Sequence, residues 1–432
     1  MSDHNRLTVY FYIFLLTSVT ACGILGSDEA GGFFKVKPIS AVEVALEISG
    51  NPGDQIAISR EGEERYSFRL NQPDTVIYEA GLQPATTYTW SLTNQQVIGS
   101  QALTARRQAT TLDTTSSNFT WQTFSFGEHS SSVLYGVSII DENNIWAVGE
   151  IYMNDSTGQA DSDIYNAAHW DGENWELKRI SVQFRDRLIT PKLNEIFTFS
   201  SSDIWLSSGV PIHGDGTNWT QYHLFDMNIL DDTGGGIESI WGKSSENMFF
   251  GGALGSMAHY NGQDWKKIET GTELNFYDIH GNGKQGVVAV ASKIFDSLDK
   301  AIYNIGSSGK VQSLAVEGIP YPISGIWFDE SGVTYIVGSG MYRKPDMFSS
   351  RAWQPFHEGI TNYYLQTIDG ASLNNIVTAG AFGELLHFNG AEWRSFYQGI
   401  DGNLYDIDLK NDFAAAVGYD GRQAYITIGK RE

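Results

Sequence analysis

His169-Trp170-Asp171-Gly172-Glu173-Asn174-Trp175 is a phrase that this chain repeats. It returns as His259-Tyr260-Asn261-Gly262-Gln263-Asp264-Trp265 and as His387-Phe388-Asn389-Gly390-Ala391-Glu392-Trp393. A looser copy runs His213-Gly214-Asp215-Gly216-Thr217-Asn218-Trp219. Asp-Gly and Asn-Gly between apolar flanks are strong hairpin signals, because the turn they favour sets both central residues at positive φ. Each copy should therefore end one strand and open the next with its Trp.

A second signature precedes these copies. Leu134 to Val137 (LYGV), Leu193 to Ile196 (LNEI), Ile237 to Ile240 (IESI) and Phe276 to Ile279 (FYDI) match one another, as do Ile323 to Ile326 (ISGI), Leu365 to Ile368 (LQTI) and Leu404 to Ile407 (LYDI). Several lead through a polar turn into a second apolar strand, as in IIDENNIWAVG and GKSSENMFFGG. The starts recur roughly every 45 residues, the period of a four-stranded propeller blade. The fold class is thus all-β, with a seven-bladed β-propeller over residues 119–432. After Leu404 the chain ends without a Trp strand, whereas an orphan of that strand, Trp121 to Phe126, stands before the first repeat. The orphan is expected to complete the last blade and close the ring, which removes the exposed edges.

Composition narrows the function. The formal charge of −23 is spread along the chain and argues against nucleic acid, which requires basic surface to displace counterions. At the N-terminus Arg6 precedes an apolar run from Leu7 to Val19, too short for a spanning helix and built like a signal segment. The run ends in Val19-Thr20-Ala21-Cys22, which resembles the bacterial lipoprotein signal. That resemblance implies cleavage after residue 21 and acylation (palmitate included) of Cys22, with residues 22–35 as a linker. It also implies an outer-membrane lipoprotein of the cell envelope, facing the periplasm or the cell surface. Cys22 is the only cysteine, so no intrachain disulfide can form.

Residues 36–111 change pattern. VEVALEI, QIAISREG, RYSFRL, DTVIYEA and TYTWSLT alternate with period two between turn residues. Gly81-Leu82-Gln83-Pro84-Ala85-Thr86-Thr87-Tyr88 resembles the fibronectin type III signature. There the Leu packs in the core and the Tyr makes a corner hydrogen bond. The resemblance implies a sandwich acting as a spacer, joined to the propeller by the Thr- and Ser-rich stretch 110–118.

Candidate sites follow from the repeats. The four repeated His residues would sit on different blades, too far apart to share one metal ion, and are read as hairpin supports. The repeated Trp residues are read as blade-to-blade packing. Asp155, Asp161 and Asp163 lie in an insertion within the first repeat but lack the spacing of a calcium loop. No metal or cofactor is expected. The second residues of the opening tetrapeptides fall near the rim of the central channel: Tyr135, Asn194, Glu238, Tyr277, Ser324, Gln366 and Tyr405. Of these, Tyr135, Asn194, Glu238, Tyr277, Gln366 and Tyr405 are the expected ligand-binding set.

No nucleophile elbow and no zinc motif occurs, so no catalytic residue is assigned. The repeats resemble bacterial extracytoplasmic propellers, namely the sensor propellers of two-component regulators and the photosystem II assembly factor type. Together these point to a monomeric, membrane-anchored binding or scaffold lipoprotein that engages an envelope protein or glycan. The alternative is a periplasmic or surface carbohydrate-active enzyme.

Overall fold

The structure is a computed structural model, and it describes residues 33–96, 102–129, 131–231, 235–294, 297–356 and 359–432. Cys22 and the expected signal segment lie outside the described residues. Among the described residues, no helix is long and apolar enough to cross a membrane.

Residues 34–110 form two facing antiparallel sheets. One holds Phe34–Pro38, Val44–Ser49 and Asp74–Glu79; the other holds Glu63–Arg69, Gln55–Arg60, Thr87–Gln95 and Leu103–Thr110 in that order. Inward positions of both sheets, among them Leu46, Ile56, Ile58 and Trp90, build one core with Leu82 of the connecting corner. The Trp90 indole donates to Glu79 Oε2 at 2.6 Å, and Arg60 pairs with Glu79 Oε1 at 2.7 Å. The buried carboxylate is thereby fully engaged, as burial demands. The Gln83 backbone N–H donates to the Tyr88 hydroxyl at 3.0 Å, so Tyr88 ties the corner that follows Leu82.

From residue 119 onward, seven four-stranded antiparallel sheets follow one another among the described residues. Their first strands are Val133–Asp141, Glu195–Ser200, Ile237–Ser244, Asn275–Asn282, Ile323–Phe328, Leu365–Ser372 and Asn403–Lys410. Each first strand packs against the next, and the last packs against the first, so the series closes on itself. The seventh sheet takes its fourth strand, Phe119–Phe126, from the other end of the chain. That strand runs antiparallel to Ala424–Arg431 in unbroken register, from Phe119 opposite Arg431 to Phe126 opposite Ala424.

The repeated residues each have a visible task. The Trp that opens a fourth strand packs toward the preceding sheet. Trp175 lies 5.7 Å from Phe126 and 6.0 Å from Phe124, Trp265 lies 5.1 Å from Tyr222, and Trp393 lies 6.1 Å from Phe356. Trp121 of the closing strand keeps the rule, 5.4 Å from Phe396 of the sixth sheet. Each repeated His bonds through Nε2 to an amide or carboxylate on the second strand of its own sheet: His169 to Asn144 (2.9 Å), His213 to Asp203 (2.9 Å), His259 to Asn247 (2.8 Å) and His387 to Asn375 (3.0 Å). Three of them also lie on an aromatic ring of that second strand, Trp146, Trp205 or Phe249.

The turn itself differs from the expected geometry. Only the Gly takes positive φ, +100° at Gly172, +85° at Gly216, +91° at Gly262 and +93° at Gly390. The preceding Asp or Asn stays at negative φ and caps the loop with its side chain. Asp171 Oδ1 accepts from the N–H groups of Glu173 and Asn174, and Asp215, Asn261 and Asn389 do the same in their copies. The side chain of the Asx turn replaces the second positive-φ residue that a two-residue hairpin would need.

The sandwich is docked and does not behave as a free spacer. In these sheets the first-to-second and third-to-fourth turns share one end of the propeller, because consecutive strands alternate in direction. Lys37 Nζ donates to the carbonyls of Ser331 and Pro345 at 2.5 Å each, and Ala41 N donates to Gly390 O at 2.7 Å. Arg343 grips Glu43 with two bonds of 2.6 and 2.8 Å, and Arg351 donates to Glu47 at 2.9 Å. Ile39 and Ala45 enter one apolar cluster with Trp327, Tyr335, Leu365 and Ile376, with Val76, Tyr78 and Leu112 beside it. The stretch after residue 110 is also pinned. Thr115 N donates to Asn389 O, Asn374 Nδ2 donates to Asp113 O, and Ser117 Oγ bonds His387 Nδ1. All the propeller turns contacted here, at Ser331, Asn374, Asn389 and Gly390, belong to that one end.

Candidate functional site at the channel mouth

The first strands surround a central cavity of about 430 Å³. How residues reach it is decided by a recurrent bulge. In six of the seven first strands the residue after the opening apolar one is skipped in the pairing with the second strand. Val148 and Gly149 pair with Gly136 and Leu134, leaving Tyr135 out. Glu238, Tyr277, Ser324, Gln366 and Tyr405 are skipped in the same way. A bulge inserts one extra residue and resets the alternation of the strand. This is how the consecutive Tyr277 and Asp278, or Tyr405 and Asp406, both line the cavity.

The bulge also accounts for the Gly that closes motifs such as IWAVG. A Cβ on Gly149 would lie 2.1 Å from Val133 O, on Gly380 2.1 Å from Tyr364 O, and on Gly418 1.9 Å from Asn403 O. The bulged strand passes too close for any side chain there. In the second sheet the third letter pairs as in the others, Glu195 with Ser207, and the ladder stops there. The fourth sheet keeps the skip with Ala291 where the other skipped sheets have Gly.

Of the residues expected to bind a ligand, Tyr277, Gln366 and Tyr405 line the cavity, together with Ser324. Tyr135, Asn194 and Glu238 do not. Tyr135 tilts onto Tyr405 at 5.6 Å and donates to Glu150 at 3.0 Å, while Lys192 stands 4.1 Å over its ring. It belongs to an aromatic and ionic cluster on the lip of the cavity. Asn194 is held at the strand entry, its N–H donating to Ser207 O at 2.7 Å, and Glu238 is exposed. Asp155 and Asp161 serve their own loop. Asp155 Oδ1 accepts from Thr157 and Gln159, and Asp161 pairs with Arg179.

Sequence reasoning passed over the acids one or three positions further on. Glu195, Asp278, Asp369, Asp406 and Asp408 all line the cavity. For Glu195, Asp278 and Asp406 the signal was present as the acidic third letter of LNEI, FYDI and LYDI. Most of them stitch one sheet to the next. Asp406 Oδ2 accepts from Val137 N at 2.8 Å, Asp408 Oδ2 from Ile139 N at 2.6 Å, Asp369 Oδ2 from Leu409 N at 2.8 Å and Asp278 Oδ2 from Ile326 N at 2.8 Å. The donors are edge N–H groups of the neighbouring first strand, which have no ladder partner on the channel side.

Burial raises all five carboxyls, Asp278 to about 8 and Asp406 to about 7. The surrounding protein strips their hydration shell, which disfavours the charged form. Repulsion from its acidic neighbours adds to the effect at Glu195, Asp278, Asp406 and Asp408. The contact between Asp369 and Asp408 raises Asp408 further and lowers Asp369. The arrangement ties seams. Both Asp406 oxygens are taken by the backbone N–H groups of Val137 and Ile407.

No family model matches the chain, and no characterised relative matches it in sequence. Solved structures do match in shape. "YCF48 bound to D1 peptide" is 16% identical with a TM-score of 0.54, covering 72% of this chain and 97% of that one. Virginiamycin B lyase from Staphylococcus aureus is 11% identical with a TM-score of 0.51, covering 73% of this chain and all of that one. The WD40 β-propeller domain of Doa1 is 10% identical with a TM-score of 0.50, covering 73% of this chain and 98% of that one. At such identities the likeness speaks for architecture alone, and the architecture is that of a β-propeller.

Proposed function

We infer that this protein is a membrane-anchored binding scaffold, in which a fibronectin type III-like sandwich carries a seven-bladed propeller whose free end engages an envelope protein. The observation that carries this reading is the division of the two ends. The sandwich occupies the first-to-second and third-to-fourth turns of the fifth and sixth sheets, while the tyrosine-lined mouth of the channel lies at the other end. Rigid rings presenting variable loops at one end commonly serve recognition. A propeller of the same fold, YCF48, has been solved with a peptide, which supports a polypeptide ligand here. The binding reading is preferred to the enzyme alternative because the cavity acids are committed to backbone N–H groups. Cys22, acylated, would hold the assembly to the outer membrane.

The test is capture of envelope proteins by the purified full chain, compared with a Tyr135→Ala/Tyr277→Ala/Tyr405→Ala variant of equal melting temperature. A specific protein retained by the parent and lost by the variant is expected. Equal retention by both would remove the channel mouth as the contact. Cys22→Ser should move the protein from membranes into the soluble fraction; unchanged partitioning would remove the anchor.

A further inference from the structure

A second feature of the free end lies away from the channel. The loops between the second and third strands, and the connections from sheet to sheet, share this end. From them Tyr321, Tyr363, Phe382 and Tyr397 project, between 40% and 53% exposed. Tyr363 and Tyr397 lie nearly parallel, 13° apart with centroids at 6.2 Å, and Phe382 stands 5.4 Å from Tyr363. Beside them opens a cleft of about 440 Å³ lined by Tyr321, Ser339, Gly340, Thr361, Asn362, Tyr363 and Tyr364. That volume is within the range of small-ligand sites, about 300–1,000 Å³.

Two properties define what the cleft can hold. The lining contains no charged residue, on a chain whose net charge is −23. It alternates ring faces with hydroxyl and amide groups. The rings are fixed from beneath: Thr361 Oγ1 donates to the buried Glu384 at 3.0 Å and accepts from Tyr363 N at 3.1 Å, and Ser395 Oγ donates to the other Glu384 oxygen at 2.8 Å. Glu384 thus holds the loops that carry Tyr363 and Tyr397. A charged ligand would find no counter-charge here, and an apolar side chain would find hydroxyl tips where it needs a dry floor. A neutral sugar matches both features. Its C–H face stacks on an aromatic ring, and its hydroxyls exchange hydrogen bonds with Ser, Thr, Asn and Tyr.

We propose that the cleft between the fifth and sixth sheets, flanked by Tyr321 and Tyr363, is a binding subsite for a neutral glycan. It is separate from the channel mouth and does not depend on a protein partner. The adjoining Phe382 and Tyr397 extend the platform so that further sugar units continue along it.

The experiment is calorimetric titration of the purified full chain in detergent with neutral oligosaccharides of glucose, mannose and N-acetylglucosamine. A sialylated oligosaccharide and a proline-rich peptide serve as comparison probes. At least one neutral oligosaccharide should bind, and Tyr321→Ala/Tyr363→Ala should weaken it at least tenfold with the melting temperature unchanged. The channel variant Tyr135→Ala/Tyr277→Ala/Tyr405→Ala should bind the sugar like the parent, which separates this site from the one proposed above. Absence of binding by every neutral probe would overturn the proposal. So would binding of the charged sugar or the peptide alone, or neutral-sugar affinity unchanged in Tyr321→Ala/Tyr363→Ala.

Discussion

Removing the Glu43 carboxylate should unfasten the sandwich from the propeller. Arg343 donates to both Glu43 oxygens, and each of these two side chains is 12% exposed. The guanidinium lies between the rings of Tyr78 at 4.9 Å and Phe356 at 5.4 Å, and its Nε donates to Gln354 at 2.9 Å. In Glu43→Ala the cation stays in that slot without a counter-charge at its terminal nitrogens, with Gln354 and the two ring faces left to meet it. Breaking a buried pair in this way costs about 3–5 kcal/mol, and the remaining solvent contact places the expectation near ~3 kcal/mol. Glu43→Leu combined with Arg343→Met should cost less than the sum of the two single changes, because no unpaired charge is left.

The assay is equilibrium urea unfolding. The parent is expected to unfold with the sandwich and propeller coupled, and Glu43→Ala should split an early sandwich transition from a later propeller transition. A loss below about 0.5 kcal/mol, the scale of exposed pairs, would refute the reasoning. Strict additivity of the double variant would refute it equally, since the argument rests on the charge left behind.

Three further outcomes follow from the fold. The channel acids bind protons more tightly in the folded state than in an unfolded chain, where a carboxyl titrates near ~4. Their stabilisation is therefore complete below that value and is lost as pH rises through about 7 for Asp406 and about 8 for Asp278. The melting temperature should fall between pH 5 and 9, less steeply in Asp278→Asn; a flat profile in the parent would contradict it. Gly418→Ala drives a Cβ to within 1.9 Å of Asn403 O, whereas Gly283→Ala meets nothing within 4 Å. Thermal unfolding should show a loss of about 3 kcal/mol or more for the first and little for the second; equal effects would remove the account of the bulge. Deleting residues 118–126 strips the seventh sheet of its fourth strand and exposes the edge Ala424–Arg431. A broad, non-cooperative melt is expected, and an unchanged one would show that the ring does not depend on this strand.

The sequence determined what is periodic and local. Strand periodicity, the roughly 45-residue repeat, the hairpins at Asp171-Gly172 and its copies, and the displaced strand at Trp121 were all legible. Each depends on neighbours a few residues apart, or on a pattern that recurs in one chain. The roles of the repeated His and Trp were legible too, because equivalent positions on separate sheets cannot converge.

What only the tertiary structure decided lies between sheets. The channel acids were passed over because an acidic letter after an apolar one signals nothing until a bulge turns it inward. The donors it meets, such as Val137 N for Asp406, lie far along the chain. Half of the expected ligand residues fell outside the cavity although two of them, Tyr135 and Glu238, share the bulge of Tyr277 and Tyr405. The common position in the repeat fixed their height in the ring, while contacts made in the fold, such as that of Tyr135 with Glu150, fixed where each side chain went. The docking of the sandwich was illegible for a further reason. Glu43 and Arg343 come together across 300 positions, and only the folded chain can pay the desolvation of one charge with the other.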